Sequence, residues 1–128
     1  MQVVSLDDTD QPRVLLVDDD ALLRRGSGLV LAPHFAVSCA ASIEEALADL
    51  EREAAAVVIS DLDLGEDRDG LSFLEEVAQR WPSTRRVLLT GLNLGPDDPR
   101  LKIVQRLAYK PLAASAIVAL VSEELAAG

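Results

Sequence analysis

The chain has 128 residues, 49% of them hydrophobic, and 12 basic against 22 acidic side chains give a formal net charge of −10. That size suits one compact domain, and the charge argues against nonspecific binding to nucleic acid or anionic lipid, which needs clustered Lys and Arg. The single cysteine, Cys39, excludes an internal disulfide and fits a reducing cytosol, no apolar run reaches the roughly 18 residues of a membrane span, and the N-terminus carries no signal-peptide pattern, so a cytoplasmic location without membrane insertion is expected.

Residues 1–12, MQVVSLDDTDQP, are polar and acidic and are expected as a flexible arm before a domain over 13–128. Arg13–Val17 is apolar after its first residue, as in a strand covered on both faces. Three aspartates follow, Asp18, Asp19 and Asp20. Adjacent carboxylates repel, so a cation must stand nearby. Asp20 suits a helix N-cap, opening a helix to Leu31 that Ala32-Pro33 stops. Phe35–Ala40 reads as the second strand, with Cys39 expected as a small buried residue. Ser42 and Glu45 form a capping-box pattern for a helix to Glu51. Ala55–Ser60 is a third buried strand, ending at Asp61. The acidic run Glu66–Asp69 reads as a solvated loop before a helix over Leu71–Arg80. Arg85–Thr90 is the fourth strand. Pro96 blocks an early helix start, whereas Asp98 can cap and Pro99 fits a first turn, leaving about two turns over Pro99–Arg106. Leu107–Lys110 is a short fifth strand, and Ala113–Ala126 the last helix.

Strands separated by helices imply parallel pairing, right-handed crossovers and an α/β sandwich with helices on both faces. Sites in such folds form at the carboxyl ends of the strands, near the point where strand order reverses. Those ends carry Asp18 and Asp19, then Asp61, then Thr90, then Lys110. Converging carboxylates suit a hard divalent cation such as Mg²⁺. Asp61, alone at the end of a buried strand, is the best candidate for a carboxylate nucleophile toward a phosphoryl group. The metal and Lys110 would neutralise charge on the transferring oxygens, Thr90 could donate its hydroxyl to one of them, and Gly91 leaves room for the group to enter.

The runs LLVDDD, VVISDLDL followed by DG, LLTG and YKP stand in this order from about Arg13 to Leu125. In them the chain resembles the receiver domains of bacterial two-component response regulators, of the chemotaxis-regulator type. The resemblance implies a flavodoxin-like, doubly wound, five-stranded parallel sheet in the order 2-1-3-4-5. It makes Asp61 the phospho-acceptor and Asp18 and Asp19 the Mg²⁺-binding pair. It adds the backbone carbonyl of Asp63 as a metal ligand, Thr90 as the switch hydroxyl and Lys110 as the phosphate-contacting lysine, and it makes the bond before Pro111 cis. The implied partners are a sensor histidine kinase or phosphotransfer protein and an unidentified output protein. The domain would catalyse only its own phosphorylation and dephosphorylation.

Three positions depart from the family pattern. Gly65 stands where proline is usual, and the DG pair comes about one residue late. The segment between Thr90 and Lys110 is short, so the fourth helix is expected to be short or irregular. The position three before the lysine, usually aromatic, is Leu107.

Two other readings compete. DLDLG, Asp61–Gly65, resembles the nucleophile motif of haloacid-dehalogenase-type phosphatases. That family places its nucleophile on the first core strand and needs an acidic pair after the lysine, where only Glu123 and Glu124 occur. A pseudo-receiver docking module, never phosphorylated, would lack one of Asp19, Asp61 or Lys110, and all are present. No output domain follows in this sequence, so the expected role is a switch read by a protein partner, or a receiver belonging to a longer chain.

Overall fold

A computed structural model of the chain describes residues 11–91 and 97–127. Five parallel strands form one sheet, in the order β2-β1-β3-β4-β5. They are β1 (Arg13–Val17), β2 (Ala36–Ala40), β3 (Val57–Asp61), β4 (Arg85–Thr90) and β5 (Arg106–Tyr109). Helices α1 (Ala21–Leu31), α2 (Ile43–Arg52), α3 (Gly70–Arg80) and α4 (Ala114–Ala127) connect or follow them, and a short 3₁₀ helix, Pro99–Ile103, precedes β5.

Strand side chains alternate between the faces of the sheet, and the core divides accordingly. Leu15, Val17, Val58 and Leu88 bury one face with residues of α2 and α3, among them Ala46, Leu50, Phe73, Leu74 and Val77. Val14, Leu16, Val57, Ile59, Val87 and Leu89 bury the other with Leu31 of α1 and Ile117, Leu120 and Val121 of α4. Each large aliphatic side chain so buried contributes about 1.5–3 kcal/mol. The double coverage explains why β1 and β3 read as unbroken apolar runs.

Local chemistry sets the helix ends. The Asp20 carboxylate accepts from the N–H groups of Leu22 and Leu23 and starts α1. Ser42 accepts from Glu45 N–H at 3.1 Å, but the return bond of the capping pattern lands one residue early, Glu45 Oε1 accepting from Ala41 N–H at 3.0 Å. Asp69 caps α3 through Ser72 N–H at 2.8 Å.

Between Asp98 and β5 the chain differs from the two-turn α-helix expected over Pro99–Arg106. Asp98 does cap, accepting from Arg100 N–H, but the helix is of 3₁₀ type and stops at Ile103. Arg86 is the reason. Its buried guanidinium donates to the carbonyls of Ile103 at 2.5 Å and Thr84 at 2.7 Å, while its backbone N–H donates to the Gln105 side chain. The chain is therefore drawn onto β4 and enters β5 at Arg106. At the amino ends of the strands, buried Glu124 of α4 pairs with Arg85 at 2.9 Å and Arg106 at 3.3 Å.

Two further expectations are corrected. Cys39 lies on β2, an edge strand of the sheet among the described residues, and is exposed; its sulfur faces α1, 3.2 Å from where a Cβ on Gly28 would stand. The run Glu66–Asp69 is more than a solvated loop. Glu66 accepts from Ile43 N–H at the start of α2, Arg68 pairs with Glu76, and Asp69 pairs with Arg100. The arm expected over residues 1–12 lies outside the described residues up to Asp10, and Pro12 already pairs with the sheet, its carbonyl accepting from Ala36 N–H.

Candidate functional site

The carboxyl ends of β1 and β3 bring three carboxylates together. One oxygen from each of Asp18, Asp19 and Asp61 lies within 4.8 Å of the others. Asp18 is buried, Asp61 partly buried and Asp19 exposed. The cation anticipated from the three consecutive aspartates is Lys110, just beyond β5. Its Nζ lies 3.3 Å from Asp61 Oδ2 and 3.5 Å from Asp18 Oδ2. Asp18 Oδ1 also accepts from Asp20 N–H at 2.9 Å, so this buried carboxylate is bonded on both oxygens. An unpaired charge at that depth would cost several kcal/mol. Asp20 caps α1 and is not one of the three clustered carboxylates.

Burial raises the Asp61 carboxyl above its ordinary value, and the neighbouring Asp18 adds to this; Lys110 offsets part of it. For Lys110, burial works against the charged form, but Asp18 and Asp61 outweigh it and hold the ammonium above its usual range. The site thus sets three carboxylates against a single ammonium, formally two positive charges short of balance. All-oxygen donors this close fit a hard divalent cation.

Backbone contacts place these side chains. Arg24 of α1 donates to the Asp18 carbonyl at 2.7 Å, tying the first helix to the end of β1. Gly70, the first residue of α3, sits against β3 so closely that a Cβ there would lie 2.0 Å from the Asp61 carbonyl oxygen. Its N–H donates to the Leu62 carbonyl at 2.7 Å. Thr90 ends β4 almost fully buried beside Tyr109 in register, and Lys110 N–H donates to the Thr90 carbonyl. The Lys110–Pro111 peptide bond is cis. The Asp63 side chain is turned back into its own loop, accepting from Gly65 N–H. A Cβ at Gly91, beside Thr90, would meet no described atom within 4 Å.

Residues 14–120 match the family described as the response regulator receiver domain. The chain belongs to that family. The receiver is 36% identical over 112 residues to the C4-dicarboxylate transport transcriptional regulatory protein DctD of Rhizobium meliloti, a match covering 84% of this chain and 24% of that protein. It is 34% identical over 100 residues to protein-glutamate methylesterase/protein-glutamine glutaminase 1 of Paramagnetospirillum magneticum, covering 76% and 26%. The receiver thus spans about a quarter of each of these curated relatives. Among solved structures, a CheY-like receiver domain protein from Methanospirillum hungatei superimposes with a TM-score of 0.85 at 23% identity, over 91% of this chain and 95% of the other. That likeness bears out the fold and the strand order 2-1-3-4-5.

Of the residues singled out in the sequence, Asp18, Asp19, Asp61 and Lys110 form one cluster, and Thr90 ends the adjacent strand. Glu123 and Glu124 do not join them. Both pair with Arg106, the first residue of β5, and Glu124 also with Arg85, the first of β4. They stand at the opposite end of the sheet, which removes the acidic pair that the phosphatase reading requires. Arg24 and Gly70 are the contributors that sequence reasoning missed. Gly70 was visible within the DG pair, but its role depends on how closely α3 approaches β3. Arg24 bonds a carbonyl and leaves no signature of complementary charge.

Among the described residues no helix is long and apolar enough to cross a membrane. Leu107 fills the position of the family's usual β5 aromatic and packs against the core on the α3 side, whereas Tyr109 is 44% exposed.

Proposed function

We propose that Asp61 accepts a phosphoryl group, from a sensor histidine kinase, a phosphotransfer protein or a small phosphodonor, in a Mg²⁺-dependent step, and that its phosphorylation state controls binding of an output protein. The observation that carries this reading is the position of Asp61: at the end of the central strand, 3.3 Å from Lys110, with Asp18 and Asp19 within coordination range.

In the transfer, an Asp61 carboxylate oxygen attacks phosphorus and forms a P–O bond as the bond to the donor breaks. With a phosphohistidine donor the P–N bond is lost and the imidazole takes up a proton; with acetyl phosphate, acetate leaves. Asp18, Asp19, Asp61 and the Asp63 backbone carbonyl would hold Mg²⁺, which when bound screens the phosphoryl oxygens from the carboxylates. Lys110 releases its contact with Asp61 to pair with a phosphoryl oxygen, supplying the second positive charge. Thr90, at the end of β4, donates its hydroxyl to another. The burial that raises the Asp61 pKa also leaves its carboxylate less solvated and readier to attack.

The domain over 13–128 would thus act as a phosphorelay receiver in the cytoplasm and not as an enzyme on other substrates, without direct nucleic-acid contact. Incubation with acetyl phosphate and Mg²⁺ should add one phosphoryl mass, which Asp61→Asn abolishes and Asp19→Ala diminishes. Undiminished labelling of the Asn protein would sink the assignment. Complete absence of labelling in the unsubstituted chain, with partner binding intact, would favour the pseudo-receiver, and turnover of a generic phosphomonoester the phosphatase.

A further inference from the structure

The three carboxylates are not equally held. Asp18 is bonded by Asp20 N–H and Lys110, and Asp61 by Lys110. Among the described residues no hydrogen bond or ion pair holds the exposed Asp19 carboxylate. What bounds it is backbone. Gly65 lies so near that a Cβ there would stand 3.0 Å from Asp19 Oδ2.

Gly65 also has a φ of 67°, the left-handed region that disfavours side chains. Its N–H donates to Asp63 Oδ1 at 3.0 Å, closing a side-chain-to-backbone turn typical of aspartate. The next residue, Glu66, is anchored to α2 through Ile43 N–H at 3.0 Å. The loop is therefore fixed on both sides of Gly65. A side chain at position 65 would displace the unheld Asp19 carboxylate more readily than the loop.

We infer that the turn from Asp63 to Gly65 positions Asp19 within the cation site, with Gly65 as a positioning residue. This rests on the reading that the cluster takes Mg²⁺. Asp63 then contributes through its turn and not chiefly through its charge.

The test is Mg²⁺ titration of the full chain by calorimetry, paired with the melting midpoint measured without metal. Gly65→Ala should bind Mg²⁺ about tenfold more weakly, the usual effect of disturbing a group that orients a ligand. Gly65→Asn keeps a Cβ but tolerates left-handed backbone, so it should lose similar Mg²⁺ affinity with a smaller drop in melting midpoint. Asp63→Asn and Asp63→Ala both lack the charge, but only Asn can accept from Gly65 N–H; Ala should therefore bind Mg²⁺ more weakly than Asn. Overturning results are Mg²⁺ affinity in Gly65→Ala within twofold of the unsubstituted protein, affinity that merely follows the melting midpoint across the series, or equal affinities in the two Asp63 variants. If the unsubstituted chain itself shows no saturable Mg²⁺ binding, the metal reading falls and this inference with it.

Discussion

Gly70 and Asp61 are in backbone contact: the first turn of α3 rests on the carbonyl of the proposed acceptor with no space for a methyl group. Gly70→Ala must therefore move α3 or the end of β3. Overpacking of this kind costs about 1–3 kcal/mol, sometimes more. A lowered urea midpoint and slower labelling of Asp61 by acetyl phosphate are expected together. An unchanged midpoint would mean that the loop absorbs the methyl.

Asp61→Asn should stabilise the metal-free protein at neutral pH. The folded carboxyl has a raised pKa, chiefly from burial, so the folded state holds this proton more tightly than the unfolded chain does. Stability from the protonated group is complete below the ordinary aspartate value of 3.8 and is lost as pH rises through the higher folded value. The advantage of the Asn protein should accordingly shrink on acidification and vanish below that window. Melting of the two proteins side by side across pH, without metal, measures it; a constant difference would contradict it.

Lys110→Met removes the cation that opposes the rise of the Asp61 pKa, leaving burial and Asp18 to act alone. Carbon-detected NMR should find the Asp61 carboxyl titrating higher than in the unsubstituted protein. The same titration in both would show that the 3.3 Å ion pair is too solvated to matter.

Arg86→Met should free the end of the 3₁₀ helix. Three carbonyls, on Ile103, Thr84 and Pro82, lose a donor, and an unsatisfied buried polar group costs about 1–3 kcal/mol. Amide hydrogen exchange should speed up over 99–106 while β1 and β3 stay protected. Exchange unchanged over that stretch would assign the 3₁₀ geometry to Pro99 and Asp98 alone.

Short helices depend on tertiary support, so the 3₁₀ helix should be the least protected helical segment described even with Arg86 present. Protection there should change when beryllofluoride occupies the acceptor. Strand-like protection in the free protein, unaltered by beryllofluoride, would argue against a segment that responds to the state of the acceptor. Residues 92–96, just before this segment, lie outside the described residues.

The sequence alone determined the alternation of strands and helices, because double burial writes continuous apolar runs and capping residues mark the helix starts. It also identified Asp18, Asp19, Asp61 and Lys110, since all stand at or just beyond the carboxyl ends of strands and a parallel sheet aligns such ends at one edge. Tertiary structure decided what depends on residues distant in sequence. The chain beyond Asp98 is helical only as far as Arg86 of β4 allows, a competition that local propensity cannot register. Cys39 is exposed because β2 is an edge strand, and no period of its own segment distinguishes an edge from a centre. Gly65 and Gly70 look alike as loop glycines, but one borders a carboxylate and the other a carbonyl, and only the approach of backbone to backbone in three dimensions sets those distances.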